Sequence, residues 1–474
     1  MLFNSFIYIF VLLPVAVSGY FLLGRNKHIP LSRYLLVAFS LLFYGYGGLH
    51  YLPVLLFSVG INYCIGAGIL RYGNTVEAGI KKGLLTSGIV FNILFLGGFK
   101  YSDFFIANIN ALAHPGMAPL GLIMPLAISF YTFQQIAYLV DCYRGDAQKS
   151  SFRDYCLFVT FFPQLIAGPI LRQREIMPQF DHPDQSRVDY RNLSLGLTIF
   201  FIGLAKRVVI ADTFGLWADA GFGPGASYTF VEAWITSLSY TFQIYFDFSG
   251  YTDMAIGSAY FFNIRLPFNF DSPYRALNIQ DFWRRWHITL SRFLKDYIYI
   301  PLGGNRKGEA RIYGNLLITF LIGGIWHGAG WTFVLWGALH GLACVIYHMW
   351  HKWGVRLPKL LAGFITFNFI NIAWVFFRAE SIGDALNVLK AMFGFTATLS
   401  GGILFENISG KQQNFTWLIL VVSLVTIFFM NNTNSIPERF QPTRWRLAYG
   451  VAIILLGLLF LNSTMPREFI YFDF

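Results

Sequence analysis

Two histidines set in apolar surroundings are the side chains of this sequence best suited to chemistry. His327 lies in NLLITFLIGGIWHGAGWTFVLWGALHG, preceded by Gly323 and Gly324 and followed by Gly328 and Gly330. An ionisable group inside such a run is expensive to keep at membrane depth, which makes it a functional candidate by default. A neutral imidazole removes a proton from an attacking hydroxyl near neutral pH, and the glycines permit a helix break and close backbone approach by a ligand. The residues alone also fit a hydrogen-bonded core histidine.

His287 is the second candidate, in DFWRRWHITLSRFLKDYIYI. Read as one continuous helix, Phe282, Trp283, Trp286, Leu290, Phe293, Leu294 and Tyr297 share one arc, and Arg284, Arg285, Ser291, Arg292 and Lys295 the other, with His287 at the boundary. A plain interfacial helix has this pattern. The PLGGNRKG that follows adds a functional reading, because Gly303 and Gly304 allow a tight turn and Asn305, Arg306 and Lys307 offer donors to a phosphorylated ligand. A third constellation, YFDFSGYTDMAIG, places Asp247, Ser249, Tyr251 and Asp253 in a long apolar stretch. Such carboxylates either line a polar cavity with the histidines or pair with a basic residue on another helix. His340, in the following apolar segment, has the same ambiguity as these carboxylates. His348 and His351 have no evident third ligand, so no metal site is expected. Cys64, Cys142, Cys156 and Cys344 lack CxxC spacing and read as packing residues.

The elements that must hold these groups are membrane helices. Of 474 residues, 12% carry formal charge against about 25% in soluble domains. Hydrophobic residues make up 55%, aromatic residues 19%, and the mean hydropathy is +0.52. That composition excludes an ordinary soluble enzyme. The net charge of +11 lies between apolar stretches, where positive cytoplasmic loops explain it more simply than a nucleic-acid partner.

Candidate spans run near 5–23, 34–49, 51–70, 83–99, 119–140, 193–212, 229–263, 313–350, 358–377, 415–431 and 447–463, the eighth long enough for two segments broken near Gly328 and Gly330. Residues 154–170, with Pro163, Gly168 and Pro169, read as re-entrant. The expectation is an all-α polytopic membrane protein of roughly 11 or 12 spans plus re-entrant and interfacial helices, forming a single domain over 1–474. The first span lacks a basic leader and a cleavage site and reads as retained. With the N-terminus outside, Arg25, Lys27, Arg33, Arg71, Lys81, Lys82, Arg144, Lys149 and Arg153 fall inside, as does the amphipathic region 264–312. Residues 378–414 fall outside, where Ser381 caps a short helix with Ala385, Leu386, Leu389, Met392 and Phe393 on one face.

WRRWHITLSRFLKDYIYIPLGGNRKG followed by GGIWHGAGWTFVLWGALHG resembles the membrane-bound O-acyltransferase family, and most of all its bacterial alginate O-acetylation branch. MPLAISFYTFQQIAYLVDCYRGD, FFPQLIAGPILR, YFDFSGYTDMAIG, WVFFRAES and PREFIYFDF extend the likeness over the full length. The resemblance maps the family's two histidines onto His327, as the catalytic base, and His287, as its support. It implies a membrane-crossing funnel in the bacterial cytoplasmic (inner) membrane. Acetyl-CoA is the implied donor substrate, with no bound cofactor, and its binding region and funnel take in Arg284, Arg285, Trp286, Asp296, Gly303, Gly304, Asn305, Arg306, Trp326, Asp247, Ser249 and Tyr251. The implied partners are membrane lipid, an extracytoplasmic SGNH hydrolase-like acetyltransferase, and a polysaccharide acceptor such as an alginate-like exopolysaccharide, cellulose or peptidoglycan. D-alanine transfer to teichoic acids fits the motifs less closely. The alternatives are a non-catalytic acetyl-donor conduit serving a partner transferase, and a lipid-acyl transferase, which needs a long apolar groove.

Overall fold

The computed structural model describes residues 1–25, 29–72, 78–114, 116–223, 226, 228–306, 308–396, 410–441, 443–463 and 469–470. Lys27, Lys307 and the stretch 397–409 lie outside the described residues. The described chain is helical, with no strand. In order the helices are α1 (Leu13–Arg25), α2 (Ile29–Gly45), α3 (Tyr51–Arg71), α4 (Ala78–Lys100), α5 (Ser102–Ala113), α6 (Ile128–Arg144), α7 (Phe152–Thr160), α8 (Phe162–Leu165), α9 (Gln173–Phe180), α10 (Tyr190–Ala205) and α11 (Asp212–Gly221). They continue as α12 (Phe230–Tyr260), α13 (Ile279–Arg285), α14 (Ile288–Leu294), α15 (Glu309–His327), α16 (Trp331–Lys352), α17 (Lys359–Arg378), α18 (Ile382–Met392), α19 (Gly410–Phe429), α20 (Ile436–Arg439) and α21 (Arg444–Ser463).

By length and composition, five segments can cross a bilayer: α3, α4, Tyr190–Gly221, α16 and α17. A sixth candidate is the bent pair Leu418–Phe429 and Thr433–Arg439, and three shorter apolar helices, Tyr8–Gly24, Pro30–Gly45 and Ala448–Leu461, add to these. Leu360 and Phe364 of α17 stand 91% and 67% exposed, a surface that only lipid covers without cost. The expected segment 154–170 is broken at Phe161 into α7 and α8, of 9 and 4 residues, each far short of the ~20 a span needs.

The chain forms two compact units, residues 1–200 with 252–267, and residues 201–251 with 268–474. In the first, Arg33 of α2 ties Asp154 (3.1 Å), Asp181 (2.5 Å) and the Phe180 carbonyl (2.8 Å) together. Tyr8 donates to Ser258 at 2.8 Å, and Asn92 on α4 donates to Asn62 on α3 at 2.6 Å.

The second unit holds both candidate histidines. Its centre is the crossing of α15 and α16, where a Cβ added to Gly324 would lie 2.4 Å from the Phe333 carbonyl oxygen, and one added to Gly337 2.5 Å from that of Phe320. The backbones touch there, and no other residue fits. In α18 the Ser381 hydroxyl accepts from the Asp384 amide, as its sequence predicts, but the buried face is Ala385, Val388, Ala391 and Met392. Leu386 and Phe393 are exposed, so the expected face is rotated.

Candidate active site

His327 is the last residue of α15, and the chain turns through Gly328 and Gly330 into α16, so the break falls where the glycines predict it. What approaches the glycines is protein. A Cβ on Gly328 would sit 2.1 Å from the Phe333 ring, and Gly324 receives the α16 backbone, so these two glycines serve helix packing. The imidazole is buried at 3% exposure, with the rings of Trp326 at 4.8 Å, Trp336 at 5.1 Å and Phe377 at 5.1 Å. Aromatic walls of this kind keep bulk water away from a base and raise the weight of every nearby dipole.

His287 does not lie on a continuous amphipathic helix. The helix breaks between Arg285 and Ile288, and His287 takes up a left-handed backbone, φ 43° and ψ 54°. Such a conformation costs a non-glycine residue energy and persists only where its surroundings hold it. Asn269 does so: its carbonyl accepts from Ile288 N–H at 3.0 Å, and its side-chain oxygen accepts from the Thr289 amide at 3.1 Å and hydroxyl at 2.7 Å. The break turns the His287 ring inward, fully buried, 4.7 Å from Phe248 and 6.3 Å from Trp326. The Trp326 ring thus lies near both histidines, 6.3 Å from His287 and 4.8 Å from His327.

A third histidine joins them. His340 is buried on α16, its ring 4.6 Å from Trp336, and its Nδ1 accepts the indole N–H of Trp283 at 3.2 Å. Accepting at Nδ1 puts the proton of the neutral ring on Nε2. That Nε2, the indole N–H of Trp336 and the indole N–H of Trp374 are buried donors with no hydrogen-bond partner among the described residues. The Trp336 and Trp374 rings are stacked at 5.7 Å. Buried donors without acceptors are rare and call for an explanation.

Trp283 also walls a cavity of about 460 Å³ that opens among Arg284, Ser291, Lys295, Tyr299 and Asn305. The turn behind it forms as expected, with Gly303 at φ 116° and Gly304 at φ 52°, and Asn315 donates to the Gly304 carbonyl at 3.0 Å. A π-helical turn, Lys295–Tyr299, rotates Lys295 and Tyr299 onto the cavity wall. Burial pushes the Tyr299 phenol above its ordinary value, so it stays a donor, and its hydroxyl donates to Asn305.

The other sequence candidates separate from this cavity. Arg285 pairs with Asp281 at 2.9 Å and also donates to the Asp271 carbonyl, Arg306 is exposed outside the lining, and Asp296 is half-buried in the π-helical turn. Trp286 packs in the core, 4.9 Å from Trp374. Asp247 takes the pairing alternative: Arg207, buried in the π-helical turn Lys206–Ala211, reaches it at 2.5 Å and also binds Asp212. Its other oxygen accepts from the Ile470 amide at 3.0 Å. Tyr251 stacks on Phe469 at 4.2 Å, and Ser249 is buried in α12. Asp253 is buried within the first unit. Sequence reading missed Trp283, Trp336, Lys295 and Asn269 as site residues. Among them only the helical spacing of Trp283 from the basic residues was a signal.

Residues 143–382 match the family described as membrane-bound O-acyltransferase. The chain is 45% identical to the peptidoglycan O-acetyltransferase of Helicobacter pylori, over 100% of this chain and 98% of that protein. It is 38% identical to the probable alginate O-acetylase AlgI of Pseudomonas aeruginosa, over 90% and 81%. A more distant likeness, 27% over 57% of this chain and 73% of the other, joins it to the teichoic acid D-alanyltransferase of Bacillus subtilis.

Proposed function

This chain belongs to the membrane-bound O-acyltransferase family, and we propose from that premise that His327 is the general base of acetyl transfer from acetyl-CoA. It is a multi-pass membrane acyltransferase, and its bacterial relatives put it in the inner membrane. Membrane O-acetylation of extracytoplasmic polymers is its activity. The finer reading rests on one observation: the wall of the basic cavity, Trp283, is hydrogen-bonded to His340, which packs on Trp336, which packs on His327.

Acetyl-CoA docks with its phosphates among Arg284, Lys295 and Asn305, where charge-assisted hydrogen bonds hold them. The pantetheine arm passes Trp283 and brings the thioester to His327. His327 takes the proton of the acceptor hydroxyl while the hydroxyl oxygen bonds to the thioester carbonyl carbon. The carbonyl oxygen becomes an oxyanion, and the unpartnered N–H groups of Trp336 and Trp374 and of His340 Nε2 are donors suited to it. The C–S bond then breaks, the imidazolium returns its proton to the departing CoA sulfur, and the acetyl ester leaves on the acceptor. His287 supports Trp326 from the far side. An SGNH hydrolase-like partner on the outer face receives the acetyl group and passes it to the polymer. The full-length likeness to a peptidoglycan enzyme makes peptidoglycan the first polymer to test.

The test is transfer of radiolabelled acetyl from acetyl-CoA in proteoliposomes holding the wild type or His327→Ala, with muropeptides or alginate as acceptor and with partner extract. Label that reaches an acceptor only with the wild type supports the reading. Equal transfer by both proteins would make the chain a conduit.

A further inference from the structure

A second, larger cavity of about 670 Å³ runs between α16 and α17. Its walls are apolar, with Leu342 and Ile346 from α16 facing Ala362, Ile365 and Phe369 from α17. One end is closed by residues 353–358, a loop that turns back at Gly354 (φ 71°) and is fastened by the Trp350 indole N–H donating to the Val355 carbonyl at 3.0 Å. That fastening holds Arg356, and Lys359 just after it, at the mouth of the groove. Neither Arg356 nor Lys359 has an acidic partner among the described residues, and both are exposed.

An apolar groove on bilayer-facing helices suits a hydrocarbon chain, and two cations without acidic partners at its end suit an anion on that chain. The lining contains neither His327 nor His287, so the groove is not the path of a donor acyl chain to the base. The positive-inside distribution puts loop 353–358 at the cytoplasmic leaflet, where anionic headgroups lie, and basic pockets between membrane helices on that side bind them. We propose that the groove is a site for one anionic phospholipid, its acyl chain between α16 and α17 and its phosphate on Arg356 and Lys359. Tyr347 and His351 line both this groove and the cavity around Arg284. The lipid thus backs the wall of the donor cavity and favours donor binding, a consequence that rests on the acetyl-CoA reading above.

The experiment uses the full chain in phosphatidylcholine nanodiscs doped with brominated phosphatidylglycerol or brominated phosphatidylcholine, with quenching of Trp350 read as the difference between wild type and Trp350→Phe, a variant that serves only as the fluorescence blank for that indole because it also loses the bond to Val355. The expected result is that half-maximal quenching by phosphatidylglycerol needs about ten-fold less lipid than quenching by phosphatidylcholine. Arg356→Gln with Lys359→Gln removes that preference and raises the KM for acetyl-CoA at unchanged kcat. Ala362→Phe, which fills the groove, removes quenching by both lipids. Equal quenching by the two lipids, or a preference that survives the double substitution, overturns the site. A KM that ignores phosphatidylglycerol overturns its link to the donor cavity. Because quenching is read without turnover, absence of any transfer activity would sink the acetyl-CoA reading and leave the lipid site standing.

Discussion

The indole N–H of Trp283 donates to Nδ1 of His340 across 3.2 Å, joining α13 to α16. Both residues are buried, so the hydrogen bond fixes the tautomer of His340 and the position of the cavity wall together. Replacing Trp283 by Phe keeps an aromatic ring but leaves a buried acceptor bare, at a cost of about 1–3 kcal/mol. A double-mutant cycle with His340→Leu, followed by thermal unfolding in detergent, should return a coupling of about 0.5–3 kcal/mol. Additive effects would mean that the contact carries no energy.

His327→Gln keeps a polar side chain of similar reach and removes the proposed base. Acetyl transfer should fall about 10²- to 10⁴-fold in kcat, with the KM for acetyl-CoA unchanged, because His327 lies outside the lining of the proposed donor cavity. Steady-state kinetics in proteoliposomes decides this, and a rate near wild type would remove His327 from the chemistry.

Trp336→Phe deletes one donor and keeps a ring to stack on Trp374. Loss of one oxyanion donor costs about 10²- to 10³-fold in kcat. The rate should drop by that order while the melting temperature holds. A lower melting temperature at normal kcat would give Trp336 a packing role only.

Arg284→Gln withdraws a charge from the wall of the proposed donor cavity. A hydrogen bond to a charged group contributes about 1.5–3 kcal/mol, so the KM for acetyl-CoA should rise about ten-fold or more at constant kcat. Titration with desulfo-CoA provides the matching Kd, and an unaltered Kd would move the donor elsewhere.

Arg207→Met leaves Asp212 and Asp247 buried without their cation. Breaking a buried pair from one side costs about 3–5 kcal/mol, so the variant should unfold at markedly lower temperature or fail to accumulate. Adding Asp212→Asn and Asp247→Asn should restore much of the loss, which an expression and unfolding comparison would register.

What could be read from the sequence follows how local the cause is. The break after His327, the turn at Gly303 and Gly304 and the Ser381 cap each depend on residues within a few positions, and each forms where expected. The break at His287 carries no glycine or proline; Asn269, eighteen positions upstream, holds it, so a helical wheel drawn through residues 282–297 continued a helix that stops. Asp247 had two readings because its partner, Arg207, sits forty residues away. The Trp283 to His340 hydrogen bond spans 57 positions and has no local signature. The candidate histidines were thus visible by type, and the groups that orient them were not.

The backbone contact between Gly324 and Gly337 also bears on how this chain can change in length. A residue inserted or removed in the helical parts between them, 325–327 or 331–336, would turn the contact face by about 100°, setting a side chain against the backbone in place of a glycine. The helical arms of the turn that carries His327 are therefore locked in length, and Gly328, where a Cβ would meet the Phe333 ring, is locked in identity as well.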